Sequence, residues 1–111
     1  MDKLVKYRQL IQQMLTDYAQ YKPAHGEIDV ETIFDTERDH YQVMNVGWDR
    51  NKYVYGCAIH IDIKNGKIWL QWNSTEEEIA ENLVVAGVPK EDIVIGFQPP
   101  FMRKFTQYSV G

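Results

Sequence analysis

The sequence predicts a two-layer α+β domain. Its order is an N-terminal helix, a four-stranded antiparallel meander, a second helix, and a short C-terminal strand or extended segment. Three observations predict it. Tyr53, Tyr55, Cys57, Ile59, Ile61 and Ile63 alternate with Val54, Gly56, Ala58, His60 and Asp62, and a period of two is the signature of a strand with two distinct faces. Asn65-Gly66 follows, the pair that most readily supplies two positive φ angles in a tight hairpin. Lys67 to Trp72 then alternates again, with Ile68, Leu70 and Trp72 opposed to Trp69 and Gln71. Stretches with helical spacing lie on either side of this strand-rich centre.

The first helix is expected over residues 2–20. Leu4, Tyr7, Ile11, Met14, Leu15 and Tyr18 recur at spacings of three and four, and Asp2 is placed to cap the start. Lys3, Lys6, Arg8, Gln12, Gln13 and Asp17 supply its polar side. Pro23 ends it, and residues 21–26 form a loop. Residues 27–35 alternate Ile28, Val30, Thr32 and Phe34 with Glu27, Asp29, Glu31 and Asp35, which describes a strand with one face in water. Carboxylates along such a strand discourage edge-to-edge pairing, and the alternative is a docking surface for a basic partner. Residues 40–48 form the next strand, with Tyr41, Val43 and Asn45 opposite Gln42, Met44, Val46 and Trp48. Short polar turns at 36–39 and 49–52 make the strands an antiparallel meander. A second helix is expected over 74–86. Ser74 and Glu77, or Thr75 and Glu78, form a capping box, and Gly87 then Pro89 end it. Ile93 to Phe97 is a short apolar strand or extended segment. The aromatic tail from Phe101 docks on the body or on another subunit.

The 111-residue length argues for one domain, 1–111. Small domains need disulfide or metal staples mainly below ~40 residues. A single cysteine, Cys57, excludes an intrachain disulfide and reads as a small buried hydrophobe. The formal charge of −4 argues against tight unaided binding to duplex DNA, which rests on Lys and Arg neutralising phosphates. No apolar run approaches the ~20 residues of a membrane span, and no signal-peptide core is evident. The chain is therefore expected to be cytoplasmic, with no membrane partner.

Three site chemistries are open to these residues. His60 and Asp62 share a strand face and His40 belongs to a neighbouring strand, which are ligand types for zinc or iron. No dense ligand motif accompanies them. They read as strand residues making ordinary hydrogen bonds, with no metal and no cofactor assigned. Asp35, Glu37 and Asp39, beside Arg38 and His40, are a carboxylate cluster of the kind that holds Mg²⁺ for phosphodiester cleavage. Asp62-Ile63-Lys64 carries an acid-x-Lys pattern, although polar residues are expected before the Asn65-Gly66 turn in any case. The preferred reading of the cluster is a structural network in which Arg38 pairs with Asp35 and Asp39 across the turn. Arg103-Lys104 is a compact basic pair for an acidic partner or a phosphate, too small to hold DNA alone. Asp35, Glu37, Arg38, Asp39, His40, Arg103 and Lys104 are thus the candidate partner-binding residues. No catalytic residue is assigned.

Longer strings carry a resemblance. They are Phe34-Asp35-Thr36-Glu37-Arg38-Asp39-His40-Tyr41-Gln42, Gly47-Trp48, Val54-Tyr55-Gly56-Cys57, Ile59 to Lys64, Gly66-Lys67-Ile68-Trp69, Gly87 to Val94, Gly96-Phe97 and Arg103-Lys104-Phe105-Thr106. Taken in order, the chain resembles the XisI family, the controlling factors for excision of the fdxN DNA element in heterocyst-forming cyanobacteria. The resemblance implies an accessory factor rather than an enzyme. It implies a XisH-type partner, itself similar to restriction-endonuclease-fold proteins, and a separate site-specific recombinase that does the cutting and rejoining. Contact with that recombinase complex and with DNA would be indirect. The family pattern carries a histidine followed by Asp or Asn and Gly where this chain has Trp72-Asn73-Ser74, and no chemistry is carried over from that position. Two alternatives remain: a DNA-binding recombination directionality factor, and a small metal-dependent nuclease using the Asp35–Asp39 cluster. The aromatic content, 13%, also makes a homodimer plausible.

Overall fold

The computed structural model describes residues 2–21 and 26–111. The elements are α1 (Lys3–Tyr21), β1 (Glu27–Asp35), β2 (His40–Asp49), β3 (Lys52–Lys64), β4 (Lys67–Asn73), α2 (Ile79–Val85) and β5 (Ile93–Ile95), with short 3₁₀ turns at Lys90–Asp92 and Pro100–Phe105. Most of the expected 21–26 loop lies outside the described residues.

One sheet runs β1-β2-β3-β4-β5. The first four strands are the expected meander. The apolar segment after α2 is a genuine fifth strand, parallel to β4, pairing Ile68 with Ile93 and Leu70 with Ile95. Strand β1 is an edge, as its column of carboxylates anticipates. The β3–β4 turn has φ of 55° at Asn65 and 76° at Gly66, the two positive angles the pair was expected to supply.

Both helices pack on one face of the sheet. Asp2 Oδ1 accepts the backbone N–H of Leu4 at 3.0 Å and caps α1. Tyr7, Ile11 and Leu15, each one turn apart, point inward and meet Tyr41, Val43, Ile59, Ile61, Ile63, Ile68 and Leu70 of the sheet. Ile11 and Leu15 are wholly enclosed, and each such side chain contributes roughly 1.5–3 kcal/mol by burial. Helix α2 adds Ile79, Ala80 and Leu83 to the same core. Its end follows the expected glycine stop. Gly87 has φ 106°, its N–H donates to Val84 O, and the Val88 N–H reaches Leu83 O, a Schellman closure with Val88 buried beneath it.

The start of α2 corrects the sequence expectation. Residues 74–78 are not helical, and no capping box forms. Asn73 Oδ1 accepts both the N–H and the hydroxyl of Thr75, and Asn73 Nδ2 donates to Glu77 O. Ser74 Oγ donates to Ala58 O. The hydroxyls that would cap a longer helix are committed to Ala58 O and Asn73 Oδ1 instead, so the helix begins only at Ile79.

Two β-bulges correct the facing of β3 and β4. Met44 pairs with Cys57 and Val43 with Ile59, which leaves Ala58 as the extra residue on β3. His60 pairs with Trp72 and Ile61 with Leu70, which leaves Gln71 as the extra residue on β4. A bulge resets the alternation. Tyr53, Tyr55 and Cys57 therefore lie on the face opposite Ile59, Ile61 and Ile63, and Trp72 joins Trp69 rather than Leu70. The tail docks on this chain's own body. Ser109 N–H donates to Ile93 O at 2.8 Å, and Lys67 Nζ donates to Ser109 Oγ and Gly111 O.

Candidate functional site on the open face of the sheet

The face turned away from the helices is the candidate site. Following the register outward from β1, its rows are Glu27–Trp48–Tyr53, Asp29–Val46–Tyr55, Glu31–Met44–Cys57, Ile33–Gln42–His60–Trp72 and Asp35–His40–Asp62–Trp69–Val94. Among the described residues, only the β4–β5 end of this face is covered. There the tail encloses Trp69 and Val94, both buried but outside the main core. The Lys64 ammonium lies 4.3 Å and the Arg103 guanidinium 5.1 Å from the Trp69 ring centre, contacts worth about 0.5–2 kcal/mol each.

The opposite half is uncovered. Trp48 and Tyr53 rings meet at 5.0 Å, and Tyr53 stacks on Tyr55 at 6.5 Å with the planes 10° apart. Tyr55 remains 70% exposed, and Trp48 and Tyr53 are half exposed. Trp72 packs edge-on against Phe97 at 6.4 Å, and both are exposed.

A polar cluster lies between the aromatic half and the covered end. Asp62 Oδ1 is 2.8 Å from His40 Nδ1 and 2.8 Å from His60 Nε2, and Gln71 Nε2 donates to Asp62 Oδ2 at 3.1 Å. Gln42 Nε2 stands 3.3 Å from His60 Nδ1. Burial opposes the charge on Asp62, but the hydrogen bonds from His40, His60 and Gln71 outweigh it and hold its carboxyl below the usual range. The hydrogen bond to Asp62 in turn raises the His40 pKa. The potential ligand atoms of His40, His60 and Asp62 all lie within 4.8 Å of one another. Cys57, next along the face, is pushed toward its neutral thiol by burial, and its Sγ–H donates to Ile59 O at 3.2 Å.

The residues singled out from sequence do not share one environment. Asp35 Oδ1 accepts the backbone N–H groups of Arg38 and Glu37, which lowers its pKa, and its Oδ2 pairs with Arg38 Nη1 at 3.4 Å. The expected Arg38–Asp35 pair is therefore present. Asp39 is instead gripped by Arg8 of α1, at 2.8 Å from Nε and 3.1 Å from Nη2, and by the Tyr41 hydroxyl at 2.9 Å. It fastens the turn to the helix. Glu37 is exposed. His40 joins the polar cluster. Arg103 donates to Gln98 O and Gly96 O while lying over Trp69, whereas Lys104 lies over the exposed Phe105 ring, so the basic pair is split. Trp48, Tyr53, Tyr55, Gln42 and Gln71 escaped sequence reasoning as site residues. Unbroken alternation assigns Tyr53 and Tyr55 to the core, and nothing local in the sequence marks the bulge at Ala58.

Comparison with known proteins places this arrangement. No curated protein matches the chain. A crystal structure of a XisI-like protein from Anabaena variabilis ATCC 29413 is 52% identical, with TM-score 0.93, covering 97% of this chain and 99% of that one. The structure of the fdxN element excision controlling factor XisI from the same organism is 34% identical, with TM-score 0.86, covering 99% and 100%. The model of the XisI protein family matches residues 1–110, and the chain belongs to that family.

Proposed function

We propose that this protein is a non-enzymatic accessory factor in the controlled excision of a DNA element, and that it acts by docking a protein partner on the open face of its sheet. The observation that carries this reading is the uncovered surface of Trp48, Tyr53 and Tyr55, continued by Val46 and Met44. Interfaces are enriched in Tyr, Trp and Met, and a few such anchors carry most of the binding energy. The solved relative named as an excision controlling factor supports the process. The column Glu27, Asp29 and Glu31 borders the aromatic surface, so the fitting partner is apolar at its centre and basic along one rim. That sign of charge disfavours a phosphate backbone and favours protein over duplex DNA. Asp35 and Asp39 are each committed to structural bonds, which speaks against a nuclease built on their turn. A XisH-type protein is the partner this reading selects, with the recombinase and DNA reached through the complex.

The test is a pull-down of the XisH-type protein with the purified chain. Wild type forms a complex at micromolar concentration. Two interface anchors truncated together cost at least about 2 kcal/mol, so Trp48→Ala/Tyr55→Ala weakens the complex roughly 30-fold or more. Val85→Ser, at an exposed site on α2, leaves it unchanged. Absence of a complex, or full binding by the double variant, defeats the reading.

A further inference from the structure

We propose that His40, His60 and Asp62 form a binding site for one divalent first-row transition-metal ion. The inference does not depend on the protein partner. His40 Nδ1 and His60 Nε2 both converge on a single oxygen, Asp62 Oδ1, at 2.8 Å. Ligands around zinc stand ~2.0–2.2 Å from the ion and hence roughly 3–3.5 Å from one another. The ligand atoms of the trio all lie within 4.8 Å of one another, so side-chain rotations that draw the two imidazole nitrogens together around Asp62 Oδ1 convert the hydrogen-bonded trio into a coordination set. Two imidazoles and one carboxylate suit Zn²⁺, Fe²⁺ or Co²⁺ and leave further positions open. Those positions face outward here, because the trio lies on the uncovered face and His40 is exposed.

The surroundings suit a ligand set. Gln71 Nε2 holds Asp62 Oδ2, so Oδ1, on which the two imidazoles converge, is the oxygen offered to the ion. Gln42 sits at Nδ1 of His60, the nitrogen opposite the ligating one. When Nε2 binds metal, its proton moves to Nδ1, and the amide of Gln42 turns its oxygen to accept it; such outer partners fix the tautomer of a metal-bound histidine. All three ligands stand on adjacent strands rather than loops, which holds them in place. The bulges at Ala58 and Gln71 flank His60 and bring it beside its neighbours, a common use of bulges near functional sites.

The experiment uses the full, tag-free chain stripped by a chelator and titrated with Co²⁺, followed by its visible d–d absorption. One equivalent binds with a micromolar Kd, and Zn²⁺ displaces it. At Zn²⁺ concentrations near 100 times Kd, the Tm rises by about 10 °C or more. His60→Gln and Asp62→Asn each weaken binding at least ~100-fold, whereas Glu91→Gln, at an exposed position outside the trio, does not change it. Paramagnetic broadening of amide resonances by Co²⁺ centres on residues 40 and 60–62 in the wild-type chain, a readout that needs no variant to fold. Failure to reach saturation at one equivalent by about 100 μM, broadening centred elsewhere, or undiminished binding in both folded variants overturns the proposal.

Discussion

Asp39 occupies a backbone conformation with φ 61° at the end of the β1–β2 turn, where Arg8, 31 residues away, closes on it with two nitrogens. The Arg8 hydrogen bonds lower its pKa against the opposing effect of burial, and the Tyr41 hydroxyl adds to them. A carboxyl whose folded pKa lies below its unfolded value stabilises the fold above that unfolded value. The stabilisation disappears as pH falls through the folded pKa. Asp39→Asn keeps the shape and tolerates the positive φ but removes the charge. The variant is therefore less stable than wild type at pH 7. The gap persists down to the ordinary carboxyl value, about pH 4, and narrows as pH falls further through the lowered folded pKa. Urea midpoints at pH 7, 5 and 3 measure it, and a gap unchanged at pH 3 rules out the ion pair as its source. The sequence shows the polar turn and its Asp35–Arg38 pair because those partners are three residues apart. It does not show Arg8 as the partner of Asp39, since nothing on an amphipathic helix says which of its polar residues will meet a distant turn.

At the scale of elements, local chemistry was legible and long-range register was not. The Asn65-Gly66 turn, the Asp2 cap and the Gly87 stop each depend on a few neighbouring residues. Strand ranges followed from alternation for the same reason. A bulge, by contrast, exists only between two strands. Ala58 leaves the alternation of β3 intact as text while reversing which half of it faces the helices. That is why alternation alone puts Tyr53 and Tyr55 on one face with Ile59, Ile61 and Ile63, and why the sequence does not outline the aromatic surface. Ile93 to Phe97 reads as a short apolar strand or extended segment, and Ile93–Ile95 is that strand, but its parallel pairing with β4 depends on where α2 delivers it. Gly47 illustrates a further constraint set between strands. It pairs with Ile28 at φ 149°, and a Cβ placed there would lie 2.0 Å from Glu27 O and 2.8 Å from Ile28 Cα. Both atoms are backbone, so β1 itself must move. Gly47→Ala is expected to cost roughly 2–4 kcal/mol, in the range of severe backbone strain and lost pairing. Gly56→Ala is the control, because its Cβ meets nothing within 4 Å, and it changes stability by less than about 1 kcal/mol. Equal urea midpoints for the two variants would refute the assigned register.

The molecule as a whole is a sheet whose two faces are used differently. One is covered by α1 and α2 and supplies the core. On the other, the tail covers Trp69 and Val94, the polar cluster lies beside them, and the aromatic half is uncovered. Along one border of the uncovered half runs the column Glu27, Asp29 and Glu31, on a chain whose formal charge is −4. No described helix is long and apolar enough to cross a membrane. This division separates two contributions to partner binding that a single affinity would merge. Charges at a rim act over a Debye length and steer the encounter, so their loss appears in the association rate. Apolar anchors act only after contact, so their loss appears in dissociation. Reversing Glu27, Asp29 and Glu31 to lysine is expected to slow association with a basic-rimmed partner roughly 10-fold at low salt, leaving dissociation nearly unchanged and flattening the salt dependence. Tyr55→Ala is expected to do the reverse, speeding dissociation about 10-fold or more with little effect on association. Stopped-flow or surface-binding kinetics at two ionic strengths distinguish the cases. If both variants alter only dissociation, the acidic column is part of the buried contact and the partner spans β1 as well. If neither alters either rate, the docking surface is not this face of the sheet.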